Sequence, residues 1–438
     1  MTEKIPQGFS ALARGSAFVF ACRVTGAAFA LLLQVLLARW LGAEGMGVYV
    51  LAFSWSILLA TVSHLGLATA SVRVIGRAIE EEKPGIIHGY LQRTRQIVPG
   101  AGMLIAVIGS TVIYLLLGPP GENPTAATFL LAMAVVPVLA FINVSCLVAV
   151  AFHWISVAFL WTEVVRPISI CVLVTAIWWS SLELTAASVI AVQLGVMLTI
   201  AVILFVSLRK RVSATVAPAR PECYTGQWLR ISLPLLIVAL FGNYFPEFML
   251  ILVGAQLPND QVAIFNACFR LALIVTFVIG AVDTVTSPIA SRLFAAEKHD
   301  ELQAAVSRAT KLGFWTSVAA CAGFAVLGRF LLSLFGPEFV VGYATMMILV
   351  FAQLVRAAAG PVISLLSVTG NQDRCLVVFT AALIASFVLV FLLVPVYGIR
   401  GAGLTVLFVT LGWSIWLHRL VVRRIGVHAS IFGSHRNP

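Results

Sequence analysis

Twelve times along this chain, a run of about twenty or more mostly apolar residues is interrupted only by a short charged or turn-forming stretch. No other property limits the fold so strongly, because a helix of about 20 apolar residues spans the hydrocarbon core of a bilayer. The runs lie near residues 13–38, 46–71, 97–118, 125–150, 156–179 and 185–208, then 230–256, 261–288, 312–335, 342–368, 375–395 and 400–418. They lack the apolar/polar alternation of barrel strands. The expected fold is therefore an all-α polytopic membrane protein of about twelve transmembrane helices. A length of 438 residues would otherwise suggest two or three soluble domains. Composition overrules that: 61% of residues are hydrophobic and only 10% charged, against roughly a quarter charged in an ordinary soluble domain.

The net charge of +11 and pI near 9.7 would fit a nucleic-acid binder if the charges shared one folded polar face. Instead they occupy short loops, the pattern that orients membrane helices. With the N-terminus in the cytoplasm, most of the 28 basic residues fall on the cytoplasmic side, among them Arg73, Arg77, Lys83, Arg209, Lys210, Arg211, Arg308, Lys311, Arg423 and Arg424. Only Arg39, Arg329 and Arg400 fall near the other face. Both termini are thus expected inside, with an even number of spans. The opening segment resembles a signal peptide only superficially. Its apolar run continues past Gln34, so it reads as a retained first helix.

Other features point away from chemistry. The seven cysteines show no C-x-x-C pair and lie mostly in apolar runs, as small packing residues do, so no disulfide is expected. His64, His88 and His153 lack H-x-x-x-H spacing, and no metal site is expected. No phosphate loop is present and no cofactor is expected. Trp178-Trp179 fits an interfacial aromatic belt, and Glu80-Glu81-Glu82-Lys83 reads as a solvated loop.

The chain also reads as a duplication. When Leu41 is set against Leu257, Tyr49 meets Phe265, Phe53 meets Phe269 and Ser71 meets Ser287. Two residues of drift later, Gly118-Pro119 meets Gly336-Pro337. Six helices separate the matches, so the copies share one orientation, as parallel repeats in transporters do. The expected organisation is an N-terminal six-helix bundle over 1–208, a cytoplasmic linker over 209–229 containing Pro218 and Pro221, and a C-terminal six-helix bundle with a short basic tail over 230–438.

The stretch from Leu36 to Tyr49 (LLARWLGAEGMGVY) resembles the opening signature of Wzx-type polysaccharide-export flippases. That group is a branch of the multidrug/oligosaccharidyl-lipid/polysaccharide (MOP) exporter superfamily. His64-Leu65-Gly66-Leu67, the run from Phe335 to Phe339 and the run from Val394 to Gly403 add to the likeness, which covers nearly the whole chain. The resemblance implies a MATE-like, V-shaped pair of six-helix bundles around a central cavity, working by alternating access. It implies a site in the bacterial inner membrane and a lipid-linked oligosaccharide as partner, with other glycan-assembly membrane proteins as further candidates. Its motifs are small residues, turns and helix ends, and they transfer no ligand set.

Ionisable residues inside spans cost at least about 2.5–3.5 kcal/mol to insert and are functional candidates by default. Here they are Arg23, Glu163, Arg166, Glu247, Arg270, Asp283 and Arg356. Arg23 lies about 13 Å along the first helix from Arg14, near mid-bilayer. Guanidinium groups stay charged and match phosphate oxygens bidentately. Arg23, Arg270 and Arg356 are therefore the expected cationic cavity for an anionic headgroup. Glu163 and Arg166, three residues apart, are spaced to pair on one helical face, with Pro167 at once behind them. Glu247 follows Pro246, and Asp283 lies five residues before Pro288. Each acid is a candidate for binding a coupling ion or for neutralising an arginine.

Three functions compete on this evidence. A flippase for undecaprenyl-pyrophosphate-linked oligosaccharide fits the arginines. A cation-coupled multidrug antiporter on the same fold would call for acidic groups in the cavity. A glycan polymerase or ligase would need catalytic groups in a sizeable outer loop, and every expected outer loop is short. No enzyme activity is expected.

Overall fold

The computed structural model describes residues 9–180, 183–368 and 372–431, and among these the chain is helical with no strand. Its helices are α1 (Phe9–Ser63), α2 (Leu67–Glu80), α3 (Pro84–Leu117), α4 (Pro124–Ala151), α5 (Ile155–Phe159), α6 (Arg166–Trp179), α7 (Ala186–Thr215), α8 (Thr225–Gly254), α9 (Asn259–Ala295), α10 (His299–Ser333), α11 (Tyr343–Ala359), α12 (Val362–Val368), α13 (Gln372–Tyr397) and α14 (Ile399–Ile425). A π-turn, Leu160–Val165, joins α5 to α6, and a 3-10 turn, Pro337–Gly342, leads into α11. Among the described residues, eleven helical stretches are long and apolar enough to cross a membrane. The first of them contains a break at Gly42, and counting its two arms separately gives the twelve spans expected. Leu115, Leu116, Trp179 and Val326 are each more than three-quarters exposed. In water such surfaces would be costly; in a bilayer they face acyl chains. The chain is a multi-pass membrane protein.

Gly42 has φ 68° and ψ 177°, with nothing within 4 Å of where a Cβ would stand. That backbone region is essentially restricted to glycine. Its cost is therefore conformational rather than steric, and Gly42→Ala is expected to lower stability by about 1–2 kcal/mol. A thermal melt in detergent checks this; an unchanged midpoint would mean that the α1 arms are not fixed by this residue. The aligned Gly118 and Gly336 also share unusual extended backbone, at φ 80°, ψ −170° and φ 153°, ψ 158°.

The chain divides into two compact units between Leu240 and Phe241. The division falls inside α8 rather than at the 209–229 stretch, because that stretch is bound to the first unit. The Glu222 backbone N–H donates to the Gly85 carbonyl at 2.9 Å, and Trp228 packs edge-on against the buried Tyr90 with ring centroids 5.0 Å apart. One turn further, Ser232 Oγ donates to the Leu65 carbonyl at 2.7 Å. Past the division α8 kinks at Tyr244 (φ −123°, ψ 17°). Pro246 explains the kink: it has no N–H for the Gly242 carbonyl, and its ring crowds that carbonyl.

In the first unit, α4 packs against both α3 and α7. Gly102 of α3 sits over Pro137 of α4, a close approach that small residues permit between membrane helices. α3 and α7 run further than their apolar cores, into charged ends. Ile87, Tyr90, Leu91, Thr94 and Val98 keep one face of α3 buried at helical spacing. At the α2–α3 turn, Glu81 is bound by Lys83 and Arg77, and those two cations pull its carboxyl pKa down to about 2. Trp178 stacks on Trp40 at 5.0 Å, and both Trp178 and Trp179 are exposed, in keeping with an aromatic belt.

In the second unit, α11 packs against α9, α10 and α14, and α13 packs against α14. Phe241 stacks on Phe379 at 4.5 Å, and Trp413 meets both edge-on at 6.2 and 6.3 Å. α9 and α11 run parallel: Cys268 Sγ donates to the Gly342 carbonyl, and Thr276 Oγ1 donates to Gln353 Oε1 at 3.1 Å.

Candidate functional site

In the first unit the intramembrane charges gather where α1 meets the α5–α6 segment. Pro167 directs the local geometry. In an α-helix its N–H would bond the carbonyl of Glu163, four residues back, but proline has none. The helix widens instead: the Arg166 N–H bonds the carbonyl of Trp161, five residues back, as in a π-bulge. The Glu163 carbonyl is left without its helical partner. It lies against α1 at Gly26, where an added Cβ would come within 1.9 Å of that oxygen. Only glycine fits such an approach. Gly26→Ala is expected to cost about 1–3 kcal/mol, since the obstacle is backbone; a melt within 0.5 kcal/mol of wild type would show that the two segments part freely. Cys22, one turn before Gly26, is also buried, and Cys171 Sγ contacts the Phe29 carbonyl at 3.5 Å. These contacts tie α1 to α6 and leave Arg23 on the neighbouring, exposed face.

The Arg23 guanidinium stands 5.6 Å from the centroid of the Phe159 ring, a cation–π distance. Among the described residues no carboxylate lies in ion-pair range of Arg23 or Arg166. The expected pairing of Glu163 with Arg166 is therefore not made. The π-turn supplies the reason, because its wider pitch removes the facing of residues three apart on which that expectation rested. Glu163 instead lies within electrostatic reach of Cys22 and of Cys146 on α4, and Arg166 within reach of Cys146. This cluster holds two guanidinium groups and one carboxylate.

The second unit is balanced differently. Glu247, just past the α8 kink, has a buried side chain (7% exposed), and its Oε1 accepts from Arg270 Nη2 at 2.9 Å. Arg270 is one-third exposed, and its Nε is buried without a hydrogen-bond partner among the described residues. Further along the parallel α9–α11 seam, Asp283 and Arg356 are half-buried and interact electrostatically without reaching contact distance. Arg270 and Arg356 thus each face an acid, the neutralising role being one of the two open to Glu247 and Asp283. Of the three arginines expected to form a cationic cavity, only Arg23 has no carboxylate in ion-pair range or electrostatic contact among the described residues. The reason is desolvation, since a guanidinium left unpaired in a low-dielectric seam costs several kcal/mol that a carboxylate partner offsets.

Sequence reading did not find the π-turn or the contact of Gly26 with the Glu163 carbonyl. Pro167 was the signal for the turn, and nothing local marked Gly26 as its partner.

A profile of the polysaccharide biosynthesis protein family matches residues 12–294. The chain belongs to that family. Its fold is that of MOP-superfamily transporters. An inward-facing multidrug resistance MATE family transporter of that superfamily superposes with a TM-score of 0.70 at 14% identity, over 92% of this chain and 94% of the other. The lipid II flippase MurJ, in an inward closed conformation, gives 0.71 at 12% identity over 92% and 87%. A MOP superfamily transporter from Pyrococcus furiosus gives 0.65 at 15% over 93% and 94%. No curated protein sequence matches the chain. These three structures, which share its fold, are two transporters and a flippase.

Proposed function

We propose that this chain flips an undecaprenyl-pyrophosphate-linked oligosaccharide across the bacterial inner membrane, from the cytoplasmic to the periplasmic leaflet, by alternating access, for cell-surface polysaccharide synthesis. The observation that carries the reading is the charge balance. The intramembrane cluster of the first unit has an excess of guanidinium, with Arg23 exposed and, among the described residues, no carboxylate in range of it, whereas in the second unit the intramembrane Glu247, Arg270, Asp283 and Arg356 balance one another. A pyrophosphate crossing a low-dielectric layer needs such a counter-charge, and guanidinium matches its oxygens. The polysaccharide biosynthesis family and the fold shared with a lipid II flippase support the same cargo class. The loop charges support an orientation with both termini in the cytoplasm.

A multidrug antiporter on this fold is disfavoured because Glu247 is occupied by Arg270 and Asp283 faces Arg356. The test is to deplete the protein and ask which lipid-linked sugar builds up facing the cytoplasm. Accumulation of a pyrophosphate-linked oligosaccharide there, with surface glycan lost, is expected. Altered drug susceptibility with normal surface glycan would transfer the assignment to the antiporter.

A further inference from the structure

Arg23 is anchored in a way that the other intramembrane arginines are not. Of Arg23, Arg166, Arg270 and Arg356, only Arg23 stands over an aromatic ring among the described residues, with its guanidinium 5.6 Å from the centroid of Phe159. The fold brings these two side chains together. α1 and the π-turn touch where the Glu163 carbonyl lies against Gly26. Arg23 stands three residues before Gly26, and Phe159 stands four before Glu163, so each lies about one helical turn back from that contact. Phe159 ends α5 as a half-buried residue, while Arg23 is exposed. In a regular helix Glu163 would share a face with Phe159. Across the π-turn, no carboxylate among the described residues comes within ion-pair range of Arg23.

A ring and a carboxylate hold a guanidinium differently. Glu247 fixes Arg270 by accepting its hydrogen bond at 2.9 Å, which engages a donor and cancels the charge. The Phe159 ring attracts the cation through its quadrupole and carries no opposing charge. It also has no acceptor oxygen, so the five N–H donors of Arg23 remain available to a phosphate. We propose that Phe159 is a positioning residue, which holds the Arg23 fork in place without neutralising it. In this role it sets the site's preference for a pyrophosphate-linked cargo over an uncharged one. The inference rests on the reading that Arg23 meets the cargo. Phe159 acts through Arg23 and need not touch the lipid-linked sugar.

The test measures flipping by the full-length protein in proteoliposomes, with two lipid-linked sugars alike but for a pyrophosphate or an uncharged linkage, each at sub-saturating load. F159L keeps an apolar side chain and removes the ring. It should lower the preference for the pyrophosphate-linked cargo about 5-fold, the ratio expected of one partly exposed cation–π contact. F159Y keeps a ring and should hold the preference near that of the unaltered protein. In an R23A background F159L should change nothing further, because the ring works only through the guanidinium. An undiminished preference in folded F159L, beside a loss in R23A, would overturn the inference and leave the reading of Arg23 standing. Equal loss in F159Y and F159L would also overturn it, as would an F159L effect of the same size with and without Arg23. R23A with its preference intact would overturn the reading of Arg23, and this inference with it.

Discussion

An Arg23→Ala protein is expected to reach the membrane at wild-type abundance yet to export lipid-linked oligosaccharide about 10- to 100-fold more slowly. The size follows from losing one charge-assisted contact to phosphate, worth about 1.5–3 kcal/mol. Abundance should hold because Arg23 is exposed, and its one described contact is the Phe159 ring. The tie between α1 and the π-turn and α6 runs through Gly26 and Cys171, not through the guanidinium. Arg23→Lys should fall between the two, keeping the charge but losing the planar fork. Quantifying surface glycan beside membrane-protein level checks this. Full export by Arg23→Ala would remove the residue from the transport path.

Removing the buried acid of the second unit should have the opposite profile, with stability lost first. Glu247→Ala leaves Arg270 without its carboxylate, and its Nε is already unsatisfied. Breaking a fully buried pair costs about 3–5 kcal/mol; with Arg270 one-third exposed, about 2–3 kcal/mol is expected here. Replacing both partners, as in E247L/R270M, should restore most of that loss, because apolar side chains carry no desolvation cost in this setting. Thermal melts in detergent would show it. A double variant no better than Glu247→Ala would mean that the pair holds α8 to α9 by more than charge neutralisation.

Every expected span falls on helical sequence, because apolar run length is set by bilayer thickness and is visible in any window of the sequence. The ends were less legible. α3 and α7 extend into charged sequence where one buried stripe, such as Ile87, Tyr90 and Thr94, is enough to hold a helix. The 209–229 stretch looked like a linker from its prolines. Its attachment depends on the Gly85 carbonyl, 137 residues away from Glu222, and long-range contacts leave no local signature.

The intramembrane charges were all visible in the sequence; their partners were not. Spacing could suggest Glu163 with Arg166, since it assumes a regular helix, and Pro167 breaks that assumption. Spacing could not suggest Glu247 with Arg270 or Asp283 with Arg356, which lie on different helices. The sign of each residue was legible, but whether it remained free depended on packing.

The most direct test of the account is a scrambling assay in proteoliposomes. It would use two cargoes with the same lipid tail and sugars, one joined through pyrophosphate and one through an uncharged linkage. The account predicts that the purified protein flips the pyrophosphate-linked lipid far faster, and that Arg23→Ala brings the two rates together. Equal rates for both cargoes with the unaltered protein, or a preference untouched by Arg23→Ala, would contradict it.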